Sequence, residues 1–235
     1  MPHLEVVPAR ESTPYEAVLA ENPVVVVSDV IRATTTATTA VARGNRCIPV
    51  LSVEAAWAAA ANENGTTLLA GEQGGDPIPD FDLNNSPAAI DRVEGKTIIL
   101  LSTSGTRVIH GAKIASDVYV GCLRNAAATA KMLVATGRDV VYRAACTRGE
   151  FRDEDQLFAG WIARDLARAG YELRGEVTQE MLERWGDAPP DAMLGSASVA
   201  FLRKAGHEDD LEFVLTRIDD LDFAVRLADG EFVRS

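Results

Sequence analysis

The chain has 235 residues, 47% of them hydrophobic and 25% charged, and is long enough to bury the core of one ordinary globular domain. Its formal net charge of −12 makes nucleic acid and anionic membrane surfaces unfavourable partners. The sequence predicts no signal peptide or transmembrane segment, and its three scattered cysteines are typical of a reduced, cytoplasmic protein.

Strands and helices are predicted to alternate along the first 170 residues. Short apolar or β-branched runs predict strands at Leu4–Val7, Val24–Val27, Arg46–Leu51, Thr66–Ala70, Thr97–Leu101, Val118–Gly121 and Asp139–Ala145. Helices are predicted from the capping box Thr13–Glu16 to about Glu21, from Ala33 to Gly44, from Val53 to Asn62, from Pro87, from within Ser102–Arg107, from Asn125 to about Ala135, and from Asp153 to Ala169. This alternation predicts a three-layer α/β fold with a mostly parallel sheet and helices on both faces.

The composition changes after Gly170 and becomes helical and polar. Near the C-terminus, Asp229-Gly230 separates two short alternating runs, which predicts a β-hairpin with a two-residue turn. We therefore expect an α/β core over residues 1–170 and a small helical and hairpin extension over residues 171–235, packed on the same domain.

The run of four valines from Val24 predicts a strand buried on both faces, as in parallel sheets. Asp29 and Arg32 follow this strand, at the sheet edge where ligands bind in α/β proteins. The next helix opens with Thr34, Thr35 and Thr36. Their hydroxyl groups and the free N–H groups of a first helical turn predict an anion site.

Polar side chains recur after the other predicted strands. They are Glu72; Thr103, Ser104, Thr106 and Arg107; Asn125; and Arg148 and Glu150. Because the carboxyl ends of parallel strands share one edge of the sheet, we expect these side chains to form a single site. Arginines and N–H groups bind phosphate oxygens, and carboxylates bind magnesium, so the set predicts a phosphate site with a divalent cation.

Other interpretations of these patterns remain open. Asp29 could equally serve as a helix N-cap, and Ser102–Arg107 could be an ordinary strand-to-helix turn. The segment Cys146–Arg152 has the spacing of thiolate phosphatases, in which a cysteine attacks the phosphorus atom. We favour the metal interpretation because the thiolate mechanism would leave Asp29 and Glu72 without a role.

Taken together, these motifs resemble the 2-phosphosulfolactate phosphatase family. The matching stretches are Asp29–Thr36, Gly71–Gly75, Phe81–Pro87, Ser102–Arg107, and Gly149–Phe151 with Asp155. The resemblance implies a magnesium-dependent phosphatase on an α/β fold, which forms a dimer and hydrolyses the phosphate ester of a sulfolactate in the route to coenzyme M. Two positions depart from the family's usual pattern: Ser104 lies in a turn that usually reads Thr-Asn-Gly-Thr-Arg, and Gln73 stands where a basic residue is common.

The motifs and the resemblance together predict the role of each site residue. Asp29, Arg32 and Arg107 are predicted to be catalytic, and Asp29 and Glu72 to bind Mg²⁺. The predicted substrate-binding residues are Thr34, Thr35, Thr103, Ser104, Gly105, Thr106, Asn125, Arg148, Asn85 and Ser86. Two alternatives remain: a phosphatase for a different small anionic ester, and a non-catalytic protein that binds phosphorylated metabolites.

Overall fold

The computed structural model describes residues 1–9 and 21–235, so the helix predicted from Thr13–Glu16 lies outside the described residues. The strands are β1 (His3–Val6), β2 (Val24–Ser28), β3 (Arg46–Val50), β4 (Thr67–Gln73), β5 (Asp76–Pro77), β6 (Thr97–Leu101), β7 (Asp117–Gly121), β8 (Val140–Ala144), β9 (Cys146–Thr147), β10 (Glu150–Phe151), β11 (Glu172–Arg174), β12 (Val225–Ala228) and β13 (Glu231–Arg234). The α-helices are α1 (Ala33–Ala42), α2 (Val53–Asn62), α3 (Pro87–Ile90), α4 (Gly105–Ala112), α5 (Ala126–Thr136), α6 (Asp153–Arg168), α7 (Glu176–Trp185), α8 (Ala197–Lys204) and α9 (Glu208–Thr216). Short 3₁₀ helices span Leu123–Asn125 and Pro190–Gly195.

Most strands belong to one mixed sheet whose order is β11-β1-β8-β2-β7-β12-β13-β3-β6-β4-β5. The strands from β11 to β7 run parallel to one another, and so do β3, β6 and β4. The predicted C-terminal hairpin is confirmed as β12 and β13, and it lies between these two parallel halves. Its buried Val225 and Phe232 join the core there, which explains why the hairpin completes the sheet.

Helices cover both faces of the sheet, which confirms the three-layer α/β fold. Along β2 the side chains alternate between two cores: Val24 and Val26 pack beneath α5, α6 and α7, whereas Val25 and Val27 pack with α1 and α4. All four valines are fully buried, as a strand covered on both faces requires. On the other half of the sheet, α2 covers a smaller cluster with Leu69 and Ile99.

The two parallel halves of the sheet approach each other through their shared helices. Four strands separate β2 from β6 in the sheet order, yet both strands contribute to the core cluster around α4. The first residue of α4, Gly105, packs against Asp29 at the end of β2. The carboxyl ends of β2, β4 and β6 therefore converge. Of the helices that the structure describes, none has the length and apolarity needed to cross a membrane.

Candidate active site

A cavity of about 350 Å³ opens at these converging strand ends. The loops after β2, β4, β6 and β8 form its wall, and α8 from the C-terminal part of the chain closes one side. The lining residues are Asp29, Ile31, Arg32, Glu72, Gly74, Gly75, Asn85, Ser102, Thr103, Ser104, Thr147, Arg148, Arg152, Ala197, Ser198, Phe201 and Leu202. Separate loops thus converge on one cavity.

Glu72 lies near the end of β4 and is only 7% exposed. Its Oε1 accepts a hydrogen bond from the Thr103 N–H at 2.7 Å. Its Oε2 accepts from the Thr103 hydroxyl at 2.9 Å and from the Gly75 N–H at 2.7 Å. These three bonds fix the carboxylate between the loops that follow β4 and β6, so Glu72 is held in one orientation at the cavity wall.

Asp29 follows β2 and is 8% exposed. Burial, and then the negative charge of Glu72, raise the pKa of the Asp29 carboxyl to about 7. The loop around Asp29 is pinned by a hydrogen bond from its own N–H to the Thr34 hydroxyl at 3.1 Å, and by one from the Val30 N–H to Asp155 at 2.9 Å. Asp29 and Glu72 both line one cavity, and the negative charge of Glu72 disfavours the charged form of Asp29 there. A bound cation would relieve this repulsion.

The predicted threonines at the start of α1 stabilise this loop through its backbone. Thr34 accepts from the Asp29 N–H, and Thr35 donates to the Val30 carbonyl at 2.7 Å. The Thr36 hydroxyl donates to the Arg32 carbonyl at 3.1 Å. All three are buried and none lines the cavity, so the structure places them behind Asp29.

Arg32 lines the cavity and is 4% exposed. Its guanidinium forms an ion pair with Asp210 of α9 at 2.8 Å and donates to Asn84 at 3.3 Å. Asp210 was not predicted from the sequence, because this residue lies 178 positions from Arg32 in a polar helix that carries no motif. The structure therefore adds a buried acidic partner to a predicted catalytic arginine.

The turn between β6 and α4 contributes Thr103 and Ser104 to the cavity. A Cβ atom at Gly105 would lie 2.5 Å from Oδ2 of Asp29, so only glycine allows this close approach. The Thr106 hydroxyl donates to the Ser102 carbonyl at 2.7 Å and closes the turn. Arg107 is exposed on α4 and does not line the cavity, and its catalytic role stays a prediction.

The short hairpin β9–β10 carries Arg148 at its turn, where a φ of 55° places this residue in the left-handed region. Arg148 lines the cavity, as predicted, and so does Arg152, for which the sequence indicated a role only in the thiolate mechanism. Arg152 donates to the exposed Glu150 at 2.6 Å and has only 14% of its side chain exposed. Cys146 does not line the cavity. A paired hairpin occupies the segment where a thiolate phosphatase needs an anion-binding loop, which favours the carboxylate interpretation.

The remaining predicted residues divide between the cavity and its support. Asn85 is buried and lines the cavity. Ser86 caps α3 through the Ala89 N–H and donates to Asp210 at 2.5 Å, outside the cavity. Asn125 accepts from the Cys122 N–H at 3.0 Å at the start of α5, also outside the cavity lining.

The cavity wall formed by α8 was not predicted from the sequence. Phe201 packs over Gly75 so closely that a Cβ atom on that glycine would lie 2.5 Å from the phenyl ring. The Gly74-Gly75 pair was a visible signal of close approach, but nothing in the sequence indicated Phe201 as its partner. The C-terminal part of the chain thus completes the cavity.

The fold and the cavity are those of an α/β enzyme that acts on a small anionic group at the carboxyl ends of its strands. Comparison with known proteins narrows this class to phosphoric monoester hydrolases. The family model described as 2-phosphosulpholactate phosphatase matches residues 10–230. The chain therefore belongs to the 2-phosphosulfolactate phosphatase family.

Individual relatives agree with this assignment. A protein of Caldanaerobacter subterraneus subsp. tengcongensis is 35% identical over 221 residues, which cover 88% of each chain. One of Carboxydothermus hydrogenoformans is 43% identical over 149 residues, or 63% of this chain and 62% of the relative. One of Symbiobacterium thermophilum is 36% identical over 198 residues, or 81% of this chain and 85% of the relative. Each is named as a probable 2-phosphosulfolactate phosphatase.

Proposed function

We propose that this protein hydrolyses 2-phosphosulfolactate to sulfolactate and inorganic phosphate, with Mg²⁺ as its cofactor. The observation that carries the proposal is a single cavity that combines the buried carboxylates of Asp29 and Glu72 with Arg32, Arg148 and Arg152. Family membership supports the reaction, because the relatives are named for it.

The donor set fits magnesium, which proteins hold through one or two carboxylates while water and substrate phosphate oxygens complete its shell. Asp29 and Glu72 would supply those carboxylates. Across the described ranges, no group of three or more histidine, cysteine or acidic side chains is placed to hold a metal ion. When bound, the ion would neutralise phosphoryl charge and activate water.

The protein's own side chains would bind and orient the substrate. Arg148 and Arg152 on the β9–β10 side supply guanidinium donors for the phosphoryl, sulfonate or carboxylate oxygens. Glu72 is already held by three hydrogen bonds, so it costs little reorganisation when the ligand binds. Phe201 packs over Gly75 in the cavity wall and would reduce the access of bulk water to this side of the cavity.

The test is phosphate release from a panel of small phosphomonoesters, measured with added Mg²⁺ and with a chelator. We expect 2-phosphosulfolactate to be the preferred substrate and the chelator to stop turnover reversibly. Glu72→Gln should abolish Mg²⁺ binding measured by calorimetry, whereas Asp76→Asn, a change at an exposed acid on neighbouring β5, should not. Turnover that survives the chelator would refute the metal proposal.

The same panel addresses the choice of substrate. Gln73, which stands where the family often carries a basic residue, is exposed at the end of β4 and does not line the cavity. Because Gln73 lies outside the cavity, its lack of charge does not change the arginines that line the cavity. Those arginines remain available to bind a second anionic group of the substrate. Preference for an ester without a sulfonate would replace the substrate in this proposal and keep the reaction.

We propose further that the protein acts in the cytoplasm, as a homodimer, in the route to coenzyme M. The resemblance to the family supports the dimer and the route. The cysteines support a reducing compartment, since Cys47 and Cys122 are free thiols buried in the core. Light scattering on the purified protein would measure the oligomeric state, and a monomer at working concentration would refute the dimer.

A further inference from the structure

Asp210 joins its own helix, α9, to two other segments, the loop that carries Arg32 and the start of α3. It is only 2% exposed, and each carboxylate oxygen accepts from a different part of the chain. Oδ2 accepts from Nη1 of Arg32 at 2.8 Å. Oδ1 accepts from the Ser86 hydroxyl at 2.5 Å and from the Ala88 N–H at 3.2 Å. The Ser86 and Ala88 donors therefore hold the Asp210 carboxylate independently of its ion pair with Arg32.

This anchor determines the orientation of Arg32. A guanidinium is a planar fork, so contacts at two of its nitrogens define its plane. Asp210 binds Nη1, and Asn84 accepts from Nη2 at 3.3 Å. Because Arg32 lines the cavity, we expect a ligand to bind the guanidinium N–H groups that Asp210 and Asn84 do not engage.

Stability alone does not explain an aspartate at this position. Burial of both charges carries a desolvation penalty that can match or exceed their attraction, so apolar residues of similar size often stabilise a protein as well. The pair does, however, hold a charged fork rigidly beside an anion site. Such orientation matters for catalysis, since a misplacement of about 1 Å can cost about 10²-fold in rate.

We propose that Asp210 is a positioning residue for phosphoester hydrolysis, acting through Arg32. This inference rests on the proposed function, because it requires Arg32 to contact the phosphoester substrate. Asp210 itself does not line the cavity. Its effect on the reaction must therefore pass through the guanidinium.

A double-mutant cycle tests this route. We expect Asp210→Asn to lower kcat about 10- to 100-fold with 2-phosphosulfolactate, with a smaller change in KM. In an Arg32→Met background, which keeps a long side chain without a charge or N–H donor, the same substitution should lower kcat less than twofold, because the arginine that Asp210 orients is gone. A full additional loss in that background would overturn the proposal, and so would wild-type kcat in the single variant.

Asp220→Asn is the matched control. Asp220 pairs with the buried Arg124 at 2.7 Å in the same C-terminal part of the chain, and neither residue lines the cavity. We expect this control to lower the melting temperature and leave kcat unchanged. A fall in kcat equal to that of Asp210→Asn would indicate general destabilisation and overturn the positioning role.

Two further measurements keep the outcomes distinct. Asp210→Glu keeps the charge and moves the carboxylate by one methylene group, so it should fold and still lose kcat; full activity in this variant would contradict positioning. A wild-type protein that hydrolyses other phosphomonoesters but not 2-phosphosulfolactate would refute the substrate alone, and the cycle is then measured on the ester that is hydrolysed.

Discussion

The substitution Gly105→Ala should displace the Asp29 carboxylate and lower kcat. The added Cβ atom would lie 2.5 Å from Oδ2 of Asp29 and 2.6 Å from Cβ of Ala33. Comfortable contacts between non-bonded heavy atoms lie near 3.5 Å, so the carboxylate must retreat by about 1 Å or α4 must move away. Both responses separate Asp29 from the turn that carries Thr103 and Ser104.

The size of this displacement sets the expected loss of rate in Gly105→Ala. A shift of about 1 Å in a positioned group can cost about 10²-fold in rate, which is about 2.7 kcal/mol of transition-state stabilisation. Overpacking should also cost about 1 to 3 kcal/mol of folding stability. For a chain of this size each kcal/mol lowers the melting temperature by about 2 to 4 °C.

Steady-state kinetics and thermal melts on Gly105→Ala measure both effects. Gly160→Ala is a matched control, since its Cβ atom would lie 2.5 Å from Cβ of Trp185, in the contact between α6 and α7. We expect both variants to melt earlier and only Gly105→Ala to lose kcat. Wild-type kcat in Gly105→Ala would refute the argument that this close approach positions Asp29.

Four further predictions concern the acid, the thiol and the exposed arginine. Asp29→Asn should abolish phosphate release while retaining the native circular dichroism spectrum, and full activity in that variant would remove Asp29 from the site. Because the folded protein raises the pKa of Asp29 from 3.8 to about 7, it binds this proton more tightly than the unfolded chain does. As the pH rises from about 4 to about 7, the melting temperature of the metal-free wild-type protein should therefore fall relative to that of Asp29→Asn. Melting temperatures of the two proteins that change in parallel over this range would contradict the raised pKa. Cys146→Ser should keep its kcat, since Cys146 does not line the cavity, and a folded but inactive variant would restore the thiolate mechanism. Arg107→Lys tests the sequence-based catalytic role, which requires a loss of about 10²- to 10³-fold in kcat; unchanged turnover with an altered melting temperature would limit Arg107 to its helix.

The sequence predicted the buried strands, the polar strand ends and the helix caps, which depend on neighbouring residues. The valine run at β2 predicted a strand buried on both faces, because a strand covered by helices on both sides has no polar side. The same reasoning predicted that Asp29 and Glu72 would lie at the carboxyl ends of strands, and both line the cavity. Ser86 and Pro87 likewise predicted the start of α3 through their capping chemistry.

Several predicted site residues do not line the cavity. Thr34 and Thr35 were predicted to bind an anion, and this role stays a prediction. Their hydroxyl groups form hydrogen bonds within the loop that carries Asp29. Arg107 follows the predicted turn, but the helical period directs it to the exposed side of α4. A motif gives the spacing of such residues; the turn geometry decides which way each side chain points.

The sequence by itself determined the alternation of strands and helices, the buried character of the parallel strands and the loops that carry polar groups. Tertiary structure alone decided that the C-terminal hairpin lies between the two halves of the sheet and that α8 and α9 bring Phe201 and Asp210 to the site. The physical reason is the range of each interaction. Hydrophobic periodicity and capping act within a few residues, whereas strand order and the pairing of Arg32 with Asp210 depend on how distant segments pack.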